Sequence, residues 1–235
     1  MPADTRKLRE KALRRGDHKL SLAVYPYLVK AHRFLSSRWL KTVSVVGAQH
    51  LETQGPVVIA ATHRSHFDPG VIAENSSRRI RALGKESLFR VPGLSLLFAA
   101  LGAFPVRRGE ADREALAAAL KILKRGEIMI VFPEGTRQTG REVAECFDGP
   151  VWLASRSNAK IIPMAIYGTE YALPSGAKWP SKTKVAVSIG APVEVVAQGS
   201  KLSREEIPGV TADIRSQMQE HLDLAVKAVE ASDPG

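Results

Sequence analysis

Beyond residue 41, short apolar runs alternate with longer segments in which apolar residues recur every three or four positions. The short runs predict β-strands over 42–46, 56–61, 79–83, 128–132, 160–167 and 184–190. The periodic segments predict helices over 69–76, 93–101, 110–125, 150–157 and 203–230. Strands that are apolar at almost every position are typical of strands buried on both faces. The pattern therefore indicates an α/β fold with a mostly parallel central sheet covered by helices.

The first 41 residues have a different pattern, which predicts two helices, over 3–15 and 19–41, joined at Gly16. The second helix has apolar residues at helical spacing, and lysine and arginine residues flank this apolar stripe. Such a helix is typical of an element that lies on a membrane surface. A helix packed on its own domain, with solvated basic residues, gives the same pattern, and the sequence leaves both interpretations open. We expect an N-terminal amphipathic element over 1–41 and an α/β domain over 42–235.

The chain has 235 residues and a formal net charge of +10, which indicates a polyanionic partner. Nucleic acid, an anionic membrane surface and phosphorylated substrates all fit this charge. The sequence contains no zinc-finger, RRM or KH pattern, so we expect no nucleic-acid partner. The longest apolar segment, 93–106, is shorter than a membrane-spanning helix and is interrupted by Gly102 and Pro105. The first residues are too charged for a secretory signal, and we expect a soluble or peripheral protein.

The segment HRSHFD, which follows the predicted strand 56–61, carries the most informative polar residues. His63 and Asp68 lie five positions apart across a strand-to-helix turn. The carboxylate can therefore hold one imidazole nitrogen while the other nitrogen faces a substrate. This arrangement predicts a general base with an orienting acid. Two other interpretations stay open, namely a metal site of a hydrolase formed by His63, His66 and Asp68, and a simple helix cap at Asp68.

Two further polar clusters follow predicted apolar elements. The segment GAFPVRRG places two arginines side by side, Arg107 and Arg108. The segment VFPEGTRQTG forms a turn in which a glycine permits close backbone approach and an arginine offers a fork suited to phosphate oxygens. The polar positions of this turn are Glu134, Gly135, Thr136 and Arg137. Each cluster alone fits an ordinary loop, but three clusters at the ends of successive elements indicate a functional site.

The order of these motifs resembles that of the glycerolipid acyltransferase family, whose best-known members acylate 1-acyl-glycerol-3-phosphate. The resemblance rests on H-x4-D in HRSHFD, a P-V-x-R-G-type segment in PVRRG, the hexapeptide FPEGTR, and a strand with an internal proline in KIIPMAIY. It implies an O-acyltransferase that moves a fatty acyl group from an acyl thioester to a hydroxyl of a lysophospholipid. The implied acceptor is 1-acyl-glycerol-3-phosphate, giving phosphatidic acid, and the alternative is another lysophospholipid or a glycolipid.

The resemblance also implies roles for single residues. His63 would be the base that deprotonates the acceptor hydroxyl, and Asp68 would orient it. The second and third motifs would bind the acceptor, and their residues in this chain are Arg107, Arg108, Glu134, Gly135, Thr136 and Arg137. Arg108, the second of the two adjacent arginines, would contact the acceptor phosphate. Pro163 would lie near the acyl donor. Many members of the family have a lysine where this chain has Asp148.

Cofactors and partners follow from the same resemblance. It implies no metal and no resident cofactor, with acyl-CoA or acyl-carrier protein as the co-substrate. The expected partners are the acyl thioester, the lysophospholipid acceptor and an anionic membrane surface. We expect the protein to be peripheral, on the cytoplasmic face of that membrane.

Overall fold

The computed structural model of the protein describes residues 2–107, 112–174, 177, 179–197 and 199–232. The helices are α1 (Pro2–Gly16), α2 (Lys19–Ser36), α3 (Asp68–Ala73), α4 (Pro92–Ala100), α5 (Arg113–Lys124), α6 (Gly149–Ser157), α7 (Thr169–Ala172) and α8 (Ile207–Ala231). The strands are β1 (Leu40–Val46), β2 (Val57–Ala61), β3 (Ile80–Lys85), β4 (Ala103–Val106), β5 (Ile128–Val131), β6 (Lys160–Tyr167), β7 (Thr183–Ile189) and β8 (Val193–Glu194). Short 3₁₀ helices cover Ala48–Glu52 and Glu86–Phe89.

The strands form one sheet in the order β1-β7-β6-β2-β5-β3-β4, and β8 pairs with β6. Neighbouring strands are parallel, except that β7 and β8 each pair antiparallel with β6. The carboxyl ends of β2 to β6 therefore lie at one edge of the sheet. The amino ends of β1 and β7 lie at that same edge, because these two strands run in the opposite direction. The predicted α/β fold with a mostly parallel sheet covered by helices is confirmed.

β2 lies inside the sheet, and all five of its residues are fully buried. The side chains of Val57, Ile59 and Ala61 join the core on one face, and those of Val58 and Ala60 join the core on the other. A strand without a polar side fits a position that is covered on both faces. Its burial fixes the point at which the chain emerges at the carboxyl edge, where HRSHFD begins.

Several boundaries differ from the prediction. β4 was not predicted because it is short and contains Pro105; it forms the sheet edge, where the missing N–H of proline is tolerated. β8 has two residues, too few to leave a pattern. α2 ends at Ser36 and not at 41, and the hydroxyls of Ser36 and Ser37 donate to carbonyls of its last turn. Leu40, predicted as part of the N-terminal element, therefore begins β1.

Both N-terminal helices pack against the rest of the chain on one side. In α1, Ala12 is buried in the core, and the hydroxyl of Thr5 donates to Glu86 at 2.8 Å. In α2, the hydroxyl of Tyr25 accepts a hydrogen bond from the backbone N–H of Ile80 at 3.1 Å. This side of the helix pair therefore belongs to the folded core. Among the described residues, every helix is too short or too polar to cross a membrane.

A partly buried ion pair ties the turn between α1 and α2 to β3. Arg81 is 1% exposed, and its Nη1 donates to Oδ1 of Asp17 at 2.7 Å. Partial burial raises the pKa of Asp17, but the hydrogen bond and the charge of Arg81 outweigh it, so the pKa lies below its ordinary value. Asp17 is therefore ionised at neutral pH and compensates a guanidinium that has little access to water.

We predict that Asp17→Asn lowers the free energy of unfolding by about 1–3 kcal/mol at pH 7, because the buried guanidinium loses its nearest anionic partner and keeps Glu127, 3.7 Å away. Urea unfolding followed by circular dichroism measures this loss. Asp213→Asn, which changes an exposed carboxylate of α8, is the control and should cost less than about 0.5 kcal/mol.

The same pair predicts a pH dependence. A carboxylate whose folded-state pKa is lowered stabilises the protein at neutral pH, and this stabilisation disappears as the pH falls through that lowered value. The difference between wild type and Asp17→Asn should therefore shrink in acid. An undiminished difference there, or no difference at pH 7, contradicts this role of the ion pair.

Candidate active site

His63 lies two residues beyond β2, and both its backbone and its ring are held in place. Its backbone N–H donates to Oε2 of Glu134 at 2.8 Å, and its carbonyl accepts from the N–H of Gln138 at 2.8 Å. Its ring stacks on Phe132, with centroids 4.1 Å apart and an interplanar angle of 17°. His63 is 5% exposed. The imidazole is therefore positioned by the protein alone.

Asp68 begins α3 and is fully buried, with four hydrogen-bond donors around its carboxylate. Oδ2 accepts from Nδ1 of His63 at 3.0 Å and from the backbone N–H groups of Arg64 and Ser65 at 2.6 and 2.7 Å. Oδ1 accepts from the hydroxyl of Thr169 at 2.6 Å. These donors lie before α3 or far along the chain, so the side chain holds the HRS segment and does not act as a simple helix cap.

This geometry defines what the histidine can do. A carboxylate only accepts hydrogen bonds, so Nδ1 of His63 carries a proton, and in the neutral imidazole Nε2 carries the lone pair. Nε2 can then take a proton from a substrate while Asp68 stabilises the imidazolium that forms. His66 is exposed on the same loop. In the described part of the chain, no three His, Cys, Asp or Glu side chains are placed to share a metal ion.

Glu134 and Gly135 of the FPEGTR turn shape the wall beside the histidine. Both carboxylate oxygens of Glu134 accept from backbone N–H groups, Oε2 from His63 and Oε1 from Ala144 at 3.1 Å. Gly135 has a φ of 71°, and a Cβ there would lie 2.7 Å from the ring of Phe147, so the turn requires glycine. Glu134 thus holds the backbone of the base, and its predicted contact with an acceptor stays a prediction.

Thr136 and Arg137 are exposed and line a cavity of about 470 Å³. Arg64, the residue after His63, and Glu170 lie in the same wall, so the cavity adjoins the histidine segment. Both of these side chains are buried, and burial raises the pKa of Glu170 above its ordinary value. Gln138, Thr139 and Tyr171 add further polar groups to the lining. The cavity can therefore receive a polar group beside the loop that carries His63.

Of the remaining predicted residues, Arg107 lies further from the pair. Arg107 follows β4, which is three strands away from β2, or roughly 14 Å at the usual strand spacing. Its backbone N–H donates to Asp112 at 3.1 Å. Arg108 lies outside the described residues, so its predicted contact with phosphate stays a prediction. Pro163 is buried inside β6 in register with Ala60, and its predicted place near the donor is likewise untested.

Two threonines of the site were not singled out in the sequence. Thr62 donates to the carbonyl of Ile166 at 3.3 Å and accepts from its N–H at 3.0 Å, which ties the end of β2 to β6. Thr169 reaches Asp68 across 101 residues of sequence. The one signal that points to Thr169 is its position directly after a predicted strand, where functional residues of parallel sheets collect.

A parallel α/β sheet with a buried histidine–aspartate pair at its carboxyl edge is an arrangement that can activate a hydroxyl group or water through a general base. The family model described as "Acyltransferase" matches residues 42–167, more than half of the chain. The chain belongs to the acyltransferase family. The predicted acyltransferase activity class and the predicted family are therefore confirmed.

Relatives of known name agree with this assignment. The chain is 26% identical over 192 residues to the 1-acyl-sn-glycerol-3-phosphate acyltransferase of Borreliella burgdorferi, covering 80% of this chain and 75% of that protein. It is 27% identical over 179 residues to the enzyme of the same name from Bacillus subtilis, covering 76% and 87%. The crystal structure of the 1-acyl-sn-glycerophosphate acyltransferase PlsC from Thermotoga maritima has the same fold, with a TM-score of 0.66, 23% identity and coverage of 89% and 86%.

We predict that Glu134→Gln lowers kcat more than it raises either KM. The reason is that the NH₂ group of the glutamine replaces one of the two oxygens that accept backbone N–H bonds, so that two hydrogen-bond donors face each other. Glu145→Gln, at an exposed position in the same segment, is the matched control. Steady-state acyl-transfer assays on both variants measure the effect. A selective rise in the acceptor KM would instead place Glu134 in contact with the acceptor.

Proposed function

We propose that the protein transfers a fatty acyl group from an acyl thioester, acyl-CoA or acyl-carrier protein, to the free hydroxyl of 1-acyl-glycerol-3-phosphate, giving phosphatidic acid. The observation that carries this proposal is the buried His63–Asp68 pair beside a cavity lined by Arg137. A base next to a phosphate-binding group is the combination that a phosphorylated alcohol requires. The names of the Borreliella burgdorferi and Bacillus subtilis relatives support the same acceptor.

In the proposed reaction, the acceptor hydroxyl attacks the thioester carbonyl while Nε2 of His63 removes its proton. Asp68 stabilises the resulting imidazolium through Nδ1. Collapse of the tetrahedral intermediate forms the ester and breaks the carbon–sulfur bond, and the imidazolium returns its proton to the departing thiolate. General-base assistance of this kind accelerates a reaction by about 10²–10⁴-fold. The reaction requires no acyl-enzyme.

The acceptor phosphate is proposed to bind at the exposed side of the cavity, at Arg137. The guanidinium of Arg137 can give two parallel hydrogen bonds to phosphate oxygens, and Thr136 adds a hydroxyl donor. An acceptor held at Arg137 by its phosphate therefore has a restricted position relative to His63, which contributes to catalysis by orientation.

We further propose that the outer face of α2 docks on an anionic membrane surface as a peripheral contact. Five large apolar side chains of α2 are exposed, namely Leu20, Leu22, Tyr27, Phe34 and Leu35, and the spacing of Leu20, Tyr27 and Phe34 places these three on one face. The adjacent helix α4 and its N-cap residue have further exposed apolar side chains, namely Val91, Leu94, Leu96 and Leu97. Exposed cations of α2 and the segment after it accompany this surface, namely Lys19, Lys30, Arg33, Arg38 and Lys41. Apolar insertion and attraction to anionic lipid then act together.

The proposed mechanism predicts that His63→Ala abolishes acyl transfer while the protein stays folded, and that Asp68→Asn is nearly as severe. The reason is that an amide cannot stabilise the imidazolium. His66→Ala is the matched control, an exposed histidine of the same loop, and should keep most of the activity. Purified proteins are assayed with acyl-CoA and a panel of lysophospholipids by mass spectrometry. Full activity of His63→Ala refutes the mechanism, and equal losses at His66 or inactivation by EDTA favour the metal-dependent alternative.

The proposed docking predicts that Tyr27→Glu/Phe34→Glu reduces flotation with phosphatidylglycerol vesicles, because two carboxylates would have to enter the lipid interface. The control is Trp179→Glu/Leu224→Glu, which changes two exposed apolar residues away from α2 and α4. Wild-type flotation should favour anionic over neutral vesicles and fall as salt rises. Equal flotation of the two double variants contradicts the assignment of this surface.

A further inference from the structure

The second carboxylate oxygen of Asp68, Oδ1, makes a contact that has no role in the proposed mechanism. Oδ2 faces the histidine and the two backbone N–H groups of the HRS segment. Oδ1 points to the opposite side, where Thr169 donates its hydroxyl hydrogen at 2.6 Å. Asp68 and Thr169 are both 0% exposed. In this buried environment, the hydroxyl of Thr169 is the one hydrogen-bond donor to Oδ1 among the described residues.

The threonine is itself held firmly. It follows Gly168, which ends β6 with a φ of 99° and whose added Cβ would lie 2.0 Å from the carbonyl oxygen of Lys184. The N–H of Gly168 donates to Oε2 of Glu170 at 2.8 Å, and its carbonyl accepts from the hydroxyl of Thr183 at 3.2 Å. The turn therefore admits only glycine at 168 and fixes where the next residue lies.

We propose that Thr169 is a positioning residue for acyl transfer, which sets the rotation of the Asp68 carboxylate so that Oδ2 stays directed at Nδ1 of His63. This inference rests on the function proposed above. A carboxylate can rotate about its Cβ–Cγ bond. Without Thr169, a buried Oδ1 lacks a donor, and rotation toward the N–H groups of the HRS segment relieves that loss. Such rotation misdirects the oxygen that orients the base.

A purely structural role of the same bond makes a different prediction. If Thr169 only ties the β6–α7 turn to α3, its loss lowers stability without changing the rate of the folded enzyme. If it orients Asp68, its loss lowers kcat and leaves substrate binding unchanged, because neither substrate has to contact Thr169.

The decisive comparison uses three full-length variants. Thr169→Val keeps the shape and removes the donor, and Thr169→Ser keeps the donor. Thr211→Val is the matched control, since Thr211 is another buried threonine that donates to a carboxylate, Oδ1 of Asp148 at 2.7 Å. We expect Thr169→Val to lower kcat by about 10- to 100-fold with both KM values within about twofold. Thr169→Ser and Thr211→Val should stay within about threefold of wild type.

A second measurement does not depend on the substrate. The Nδ1–H proton of His63 can be followed by ¹H NMR, and its signal should shift or broaden in Thr169→Val but not in Thr169→Ser or Thr211→Val. If Thr169→Val does not fold, Thr169→Cys, whose S–H is a weak donor, takes its place in both comparisons.

Wild-type kcat in the folded valine variant overturns the inference, and so does a serine variant as impaired as the valine variant. An unchanged His63 signal in Thr169→Val also overturns it. If the proposed function is wrong, the wild-type protein acylates no lysophospholipid. The NMR comparison then still decides the role of Thr169.

Discussion

The hydrogen bond between Nδ1 of His63 and Oδ2 of Asp68 is the interaction around which the site is organised. Each surrounding element holds one side of it. β2 delivers the histidine, Phe132 and Glu134 at the end of β5 support its ring and backbone, and Thr169 at the end of β6 holds the far side of the carboxylate. Because β2 pairs with both β5 and β6 in parallel, three chain segments that are distant in sequence end at the same edge.

Sequence reasoning found the parts of this arrangement that are local. The H-x4-D spacing placed a carboxylate within reach of an imidazole across one turn, and the apolar runs identified the parallel sheet. It did not find Thr62 or Thr169, since their partners are about a hundred residues away and depend on the register of β6 against β2. It also did not find β4, because a short strand with Pro105 does not show the pattern of a strand and is stable only as the sheet edge.

Of the two interpretations of the N-terminal helices, the structure supports packing on the domain for one side, and membrane contact of the other side stays a prediction. The side with Ala12 and Tyr25 is part of the folded core, and the ion pair of Asp17 with Arg81 links it to β3. The opposite side of α2 leaves Tyr27 and Phe34 about 70% exposed. A helix pair that is anchored by one side can present the other side to a membrane at a fixed orientation, as the proposed docking requires.

The central claim is that the imidazole of His63, held by Asp68, is the base for the acceptor hydroxyl. Chemical rescue tests it most directly, because His63→Gly leaves a ring-sized space beside Asp68 and Phe132. We expect free imidazole to restore acyl transfer to this variant in a concentration-dependent way, and to restore none in Asp68→Asn, which still has its histidine. A His63→Gly variant that transfers acyl groups at the wild-type rate without imidazole would contradict the account.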